Sequence, residues 1–389
     1  LPIYDQVSWY ADGSPHTLPD DFYSSKYFID KTIEFVASNE DSDQPFFAYI
    51  PFQAVHIPVQ APKEYSDKYA GVYDEGWSVM REKRRQTAVA LGVIPEESEI
   101  KVTPGTIDWS SMTDEQRRYD ARRMEVYAGM VDAMDFHIGR LMDYLKSIDE
   151  YENTVFIFTS DNGAASSPLL DSDGNSVLKN WFDRVGYNTD YESLGEKGSW
   201  VAIGPGNASI ANSPLLYYKF HANEGGLRVP LIISGPGINR HGEITDEFTF
   251  VTDLAPTILN LTGTTEHRGK FNGREVEPIV GVSFTDYLNG AADQIHQPSE
   301  SIGYELGGSN ALFKGDYKIV INKIEQNETE WHLYNIKTDP GETTDLINEK
   351  PQLFAEMLSE YESWAEENNV LPMPQGYNRG RAIFRNGFN

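Results

Sequence analysis

The sequence predicts an α/β fold, a wound sheet flanked by helices, followed by a small α+β subdomain. Three observations carry this. Two short β-prone runs, residues 154–160 and 229–234, are continuously apolar and lack the alternation of a half-exposed strand. A long amphipathic pattern precedes the first run and a helical pattern at 253–261 follows the second, so helix and strand alternate along the chain. Past residue 300 that order gives way to short strands and one amphipathic helix. We therefore expect residues 1–299 to belong to one large domain and residues 300–389 to form the subdomain.

Taken in order, residues 30–37 (DKTIEFVA) read as the end of a helix and 39–44 as a polar loop. The run 45–50 (PFFAYI) is short, aromatic and flanked by turn residues, which predicts a buried strand. Between 73 and 111 the pattern is irregular, and Pro95 and Pro104 break any long helix. Thr113 with Gln116 then makes a capping-box signature. Met124, Tyr127, Val131, Met134, Ile138, Leu141 and Leu145 recur at steps of three and four, one core-facing stripe of a helix. The run 154–160 suits the middle of a parallel sheet covered on both faces, and 229–234 ends at Gly235-Pro236-Gly237. In the last third, 317–321 and 331–335 read as antiparallel strands and Asp339-Pro340-Gly341 as a turn. Leu353, Phe354, Met357, Tyr361 and Trp364 lie on one face of a helix.

The chain has 389 residues, 39% hydrophobic and 12% aromatic, enough to bury a substantial core. No stretch approaches the roughly 18 apolar residues a membrane-spanning helix needs. Sixty acidic against 32 basic residues give a formal charge of −28, a field that repels nucleic acid. It repels any anionic substrate too, so an enzyme acting on such a substrate needs local positive charge at its site. There is no cysteine, which removes disulfides, thiolate metal sites and cysteine nucleophiles from these residues.

Three segments hold residues suited to chemistry. Ser160-Asp161-Asn162-Gly163 follows directly on an expected strand, where wound α/β folds bind ligands. A carboxylate beside an amide oxygen is a hard donor pair suited to calcium or magnesium, and the same residues also make a good turn. The segment 218–230 (YKFHANEGGLRVP) carries Lys219 and Arg228 around paired glycines that permit close backbone approach; lysine is also commonly a solvated surface residue. His56, in QAVHIP, follows the expected strand at 45–50, and a lone histidine among apolar residues reads equally as a structural one.

Together and in this order the segments resemble the sulfatase family of the alkaline-phosphatase superfamily, and bacterial arylsulfatases within it. The likeness runs over nearly the whole chain: 51–62 (PFQAVHIPVQAP), 123–135 (RMEVYAGMVDAMD), 158–164 (FTSDNGA), 197–206, Lys219 with 224–230 (EGGLRVP), 251–257 (VTDLAPT) and 333–342. The resemblance implies an alkaline-phosphatase-like sheet, residues 1–299 being the C-terminal portion of the catalytic domain. It implies that Asp161 and Asn162 are calcium ligands, with magnesium as the alternative. Lys219 would hold the sulfate and leaving-group oxygens, and His56 would touch the ester and protonate the leaving oxygen. Glu224 and Arg228 would brace the loop.

The family's formylglycine nucleophile, made in a Cys/Ser-x-Pro-x-Arg motif, has no counterpart here. Ser166-Ser167-Pro168 and Ser213-Pro214 lack the arginine. The early Asp-Asp calcium pair and the Gly-Lys-x-x-His segment are also missing, and all of these belong upstream. We therefore expect a piece of a larger enzyme that is inactive and unstable alone, its N-terminal part present elsewhere, a separate chain being one form this can take. The expected activity is a calcium-dependent sulfuric ester hydrolase acting on a small sulfate ester or a sulfated glycan, in the periplasm or secreted. A phosphonate monoester or phosphodiester hydrolase on the same fold, and a non-catalytic binding chain, are the alternatives. Residues 73–111 and 166–190 are the expected substrate-facing loops.

Overall fold

The computed structural model describes residues 8–40, 42, 44–167, 186–264, 269–323, 327–374 and 377, so most of the second expected substrate-facing loop lies outside the described residues. The chain divides into two compact units. The first takes in residues 1–82, 103–152 and 164–211, the second residues 83–102, 153–163 and 212–389. The second unit thus holds the expected subdomain together with stretches from before residue 300.

In the first unit a hairpin, β1 (Trp9–Ala11) and β2 (Ser14–His16), precedes α1 (Ser24–Ala37), a short α2 (Lys63–Ser66) and α3 (Trp77–Ala90), whose second half belongs to the other unit. The dominant element is α4 (Asp114–Ser147). Its N-terminus is closed by the expected capping box: Gln116 N–H donates to Thr113 Oγ1 at 3.2 Å and Thr113 N–H to Gln116 Oε1 at 2.9 Å. The buried stripe of α4 differs in its middle from the expected one. Met124, Leu141 and Leu145 are buried, but Val131 is 41% exposed, and Val126, Met130, Ala133 and His137 are buried instead. Different elements pack on α4 along its 34 residues, α1 and α2 among them, and these rather than the spacing decide which apolar positions are covered. The core of this unit joins Trp77 and Met80 of α3 and Met124 of α4 with Ile210 of α5 (Gly204–Ala211).

The run 45–50 is no strand, and Phe47 and Tyr49 are 75% and 80% exposed. A short aromatic run has the composition of a buried strand, but burial needs a neighbour to pair with, and none is formed among the described residues.

The second unit contains β3 (Phe156–Thr159) and β4 (Leu231–Ser234), the two expected strands. They pair with each other antiparallel, Phe156 opposite Ser234 and Thr159 opposite Leu231. This differs from a parallel mid-sheet position covered on both faces, since Ile232 is 60% exposed. Continuous apolar character reports high β-propensity and does not encode strand direction. This unit also holds α6 (Glu224–Leu227), α7 (Leu254–Leu261), the ribbon β5 (Lys270–Phe271) and β6 (Arg274–Glu275), and α8 (Thr285–Leu288). Leu231 and Ile233 pack with Leu254 against a cluster of Ile238, Phe284, Tyr287 and Leu288.

The C-terminal α+β part is a four-stranded antiparallel sheet: β7 (Ser301–Leu306), β8 (Ser309–Lys314), β9 (Tyr317–Asn322) and β10 (His332–Asn335), in the order β10-β9-β8-β7. Residues of β8 and β9 are buried almost throughout because the sheet is covered on both sides. Leu312, Ile319 and Leu333 pack against Met357 and Tyr361 of α9 (Pro351–Glu367). Each such side chain, fully removed from water, contributes about 1.5–3 kcal/mol. On the other face Ala311, Phe313, Val320 and Tyr334 pack with Ala222, Leu227 and Phe248. Lys318, Val320 and Asn322, alternate residues of β9, share that second face.

Candidate active site

β3 delivers Ser160-Asp161-Asn162-Gly163 at its carboxyl end. Ser160 Oγ donates to Asn162 O at 2.9 Å, which folds the turn the tripeptide favours. Asp161 is exposed and Asn162 half-buried, and among the described residues neither side chain is engaged in a hydrogen bond or ion pair. Gly163 ties this turn to the second segment: its N–H donates to Gly226 O at 3.0 Å. A Cβ at Gly163 would lie 1.8 Å from Gly225 O, so only glycine allows the two backbones to meet. A Cβ at Gly225 would likewise lie 2.2 Å from Tyr217 O, which accounts for the paired glycines.

Lys219 is half-buried on the loop leading to those glycines, its Nζ 5.6 Å from the Phe220 ring centre. Among the described residues no carboxylate lies within ion-pair distance of it. The residues around it sit in the left-handed region, Tyr217 at φ 61° and Phe220 at φ 82°. Such a conformation costs a bulky residue on the order of 1–3 kcal/mol and persists only where surrounding contacts over-determine it. The Tyr217 ring stacks on buried His221 at 4.3 Å, and burial pushes its phenol up to about 12, so it is neutral.

Glu224 and Arg228 are placed by one turn of α6, Arg228 Nη1 lying 3.7 Å from Glu224 Oε2. The principal partner of Glu224 is one that sequence reasoning missed. Lys318 Nζ, fully buried, lies 2.8 Å from Glu224 Oε1 and 2.6 Å from Glu342 Oε1, and Glu342 is also fully buried. Burial draws a lysine down, but the two carboxylates outweigh it and hold Lys318 above its ordinary value, protonated. The available signal was a lysine directly before the apolar run Ile319-Val320-Ile321.

His56 belongs to the first unit. Its ring is exposed and its Nδ1 lies 2.8 Å from Ile57 O. A carbonyl only accepts, so Nδ1 carries the proton and Nε2 is the lone-pair nitrogen of the neutral ring. Donation from Nε2 requires the imidazolium.

The oxygen donors of Asp161 and Asn162 suit a hard cation, but they are two residues where calcium takes about 6–8 oxygens. No group of three or more His, Asp or Glu side chains among the described residues gathers into a metal site. The pair fits calcium or magnesium as part of a larger ligand set. No described helix is long and apolar enough to cross a membrane.

An uncharacterized sulfatase of Schizosaccharomyces pombe is 38% identical over 94% of this chain, and an arylsulfatase of Klebsiella aerogenes 34% identical over 70%. The chain spans 66% and 58% of the lengths of these two relatives. Among solved structures, Ps i-CgsB in complex with k-i-k-neocarrahexaose superposes at a TM-score of 0.59, with 19% identity, over 98% of this chain and 63% of that one. A protein solved with its substrate D-glucosamine-2-N,6-O-disulfate superposes at 0.55, with 18% identity, over 94% of this chain and 74% of that one. These likenesses establish the fold. The Sulfatase family model matches residues 3–264, more than half of the sequence, and the chain belongs to the sulfatase family, with the α/β fold of the alkaline-phosphatase superfamily.

Proposed function

We propose that this chain is part of a hydrolase of sulfuric esters, in which Lys219 holds sulfate and leaving-group oxygens and His56 protonates the departing oxygen. The observation that carries the reading is the Lys219 ammonium. In a chain of formal charge −28 it has no carboxylate partner among the described residues, and its loop is bonded through Gly226 to the turn of Asp161 and Asn162. Sulfuryl transfer builds negative charge on the leaving oxygen, and a fixed ammonium in a site screened from water stabilises that charge far more than bulk water does. An imidazolium at His56 carries the proton the departing alkoxide needs. Asp161 and Asn162 would hold calcium, or magnesium, as two members of its ligand set; such a cation, when bound, neutralises charge on the sulfate oxygens. The nucleophile we assign to a formylglycine outside residues 1–389, because these residues contain neither cysteine nor a Ser-x-Pro-x-Arg string.

Membership in the family supports sulfate-ester chemistry. The substrate of the second solved relative, a disulfated glucosamine, supports a sulfated sugar as one ligand class beside aryl sulfates. The test is a comparison of rates on an aryl sulfate and an aryl phosphonate monoester with the full-length protein, wild type and Lys219→Ala. We expect the sulfate ester to be preferred and the substitution to lower kcat/KM by about 100- to 1,000-fold. A preference for the phosphorus ester, or an unchanged rate in Lys219→Ala, would overturn the assignment.

A further inference from the structure

The backbone from Phe220 to Glu224 is gripped by one face of the C-terminal sheet. Ser309 Oγ, on β8, donates to Phe220 O at 2.8 Å. Asn322, on β9, accepts the Ala222 N–H at 2.8 Å and donates to Asn223 Oδ1 at 2.7 Å. Lys318, four residues earlier on the same strand face, donates to Ala222 O at 3.2 Å and to Glu224 Oε1 at 2.8 Å. Glu342, beyond β10, accepts the Glu224 N–H on Oε2 at 2.9 Å while its Oε1 faces Lys318 Nζ. With Arg228 beside Glu224, the charges alternate along Glu342, Lys318, Glu224 and Arg228 and sum to zero when all four are ionised.

Stability alone is a poor reason for such a cluster, because buried ion pairs contribute little beyond what apolar residues of the same volume would. What the cluster does hold is a particular backbone. Tyr217 and Phe220, both in the left-handed region, bracket Lys219, and a loop in that state relaxes when the bonds fixing it are removed. Resting on the reading of Lys219 given above, we propose that Lys318 and Glu342 are positioning residues. Their buried ion cluster locks the 217–228 loop in the conformation that presents the Lys219 ammonium to the sulfuryl group, and neither side chain touches substrate.

The experiment uses the full-length enzyme with Lys318→Met, Glu342→Gln and the milder Ser309→Ala, each also combined with Lys219→Ala. Two quantities are read: amide hydrogen exchange across 217–228, and kcat/KM on an aryl sulfate. We expect exchange in that segment to rise at least about 10-fold while α4 keeps its protection. We expect kcat/KM to fall about 10- to 100-fold in the Lys318 and Glu342 variants. In the Lys219→Ala background the same substitutions should change kcat/KM less than about 3-fold, because a residue acting through Lys219 has nothing left to position. Where Lys318→Met does not fold, Glu342→Gln and Ser309→Ala carry the comparison. Unchanged exchange in folded variants overturns the proposal. So does a loss of activity that persists undiminished without Lys219, which marks a merely structural role. A loosened loop with wild-type activity in Lys219→Ala alone instead removes the function assigned to Lys219, and the positioning role with it.

Discussion

Gly163→Ala isolates the contact that joins the two motif-bearing segments. The φ of Gly163 is not in the left-handed region, so no left-handed strain opposes alanine there and the clash of its Cβ dominates. The new methyl would lie 1.8 Å from Gly225 O, 2.9 Å from Gly225 C and 3.2 Å from Asn212 Nδ2. An ordinary carbon–oxygen contact is about 3.3–3.6 Å, so the backbones must separate by roughly 1.5 Å. The hydrogen bond from Gly163 N–H to Gly226 O, now 3.0 Å, cannot survive that shift. Overpacking costs about 1–3 kcal/mol and the lost bond about 0.5–1.5 kcal/mol, against an unfolded-state gain of about 0.4–1 kcal/mol from replacing glycine. The net expectation is a loss of about 2–3 kcal/mol, read by urea unfolding of the full-length protein. Because the shift moves the Asp161–Asn162 turn relative to the Lys219 loop, kcat/KM should fall about 100-fold. Gly139→Ala is the control: nothing lies within 4 Å of its Cβ position inside α4, and alanine there should stabilise by about 0.5–1 kcal/mol. A Gly163→Ala protein within about 0.5 kcal/mol of wild type, with unchanged kcat/KM, would refute the steric argument.

Three other expectations follow from particular residues. Asp161→Ala should weaken calcium binding to the full-length protein at least about 10-fold by titration calorimetry, and unchanged affinity would remove Asp161 from the ligand set. His296 Nε2 lies 2.8 Å from Asp253 Oδ2 and its Nδ1 2.9 Å from Glu300 Oε2. Hydrogen bonding to Asp253, against the opposing effect of burial and with help from Glu300, raises its pKa. A raised histidine stabilises fully below the unfolded value of about 6.5, and the contribution is lost as pH rises through the folded value. Wild type should therefore exceed His296→Gln in melting temperature most clearly in mild acid, with the gap closing in alkali; a pH-independent gap would count against it. Residues 1–389 expressed alone should lack a cooperative thermal transition, since among the described residues β3 and β4 form a sheet of two strands, with Ile232 60% exposed, and so small a sheet is marginal by itself. A sharp calorimetric peak for that chain would contradict this.

Local signals were legible wherever one segment contains its own cause. The capping box of α4 lies within four residues, and both of its hydrogen bonds form. Strands β9 and β10 and helix α9 follow from runs and stripes that each fit inside one element. The neighbouring β7 and β8 were not foreseen; SIGYEL and SNALFK mix glycine, serine and asparagine into the strand, and their burial comes from sheet partners and α9. The exposed run at 45–50 and the antiparallel pairing of β3 with β4 fail to follow from sequence for a related reason. Composition sets the tendency to be extended, while the partner and its direction are set by chain lying far away.

The same division runs through the candidate site. Asp161, Asn162, Lys219, Glu224 and Arg228 stand in two short motifs and could be named from them, as could the paired glycines 225 and 226, whereas the close approach at Gly163 shows only in the fold. What holds Lys219 in place could not be named either, because Ala222 and Asn322 are 100 residues apart in sequence, and Glu224 and Glu342 are 118 apart. A lysine in a strand reads as a solvated residue until the opposing carboxylates are known, and Glu342 reads as part of a surface turn. Only the fold shows that each removes the other's cost of burial: Lys318 without Glu224 and Glu342 would be an unpaired buried cation, and either carboxylate without Lys318 an unpaired buried anion. That mutual dependence makes the cluster a constraint on the Lys219 loop, since the loop cannot move away without exposing or stranding charge.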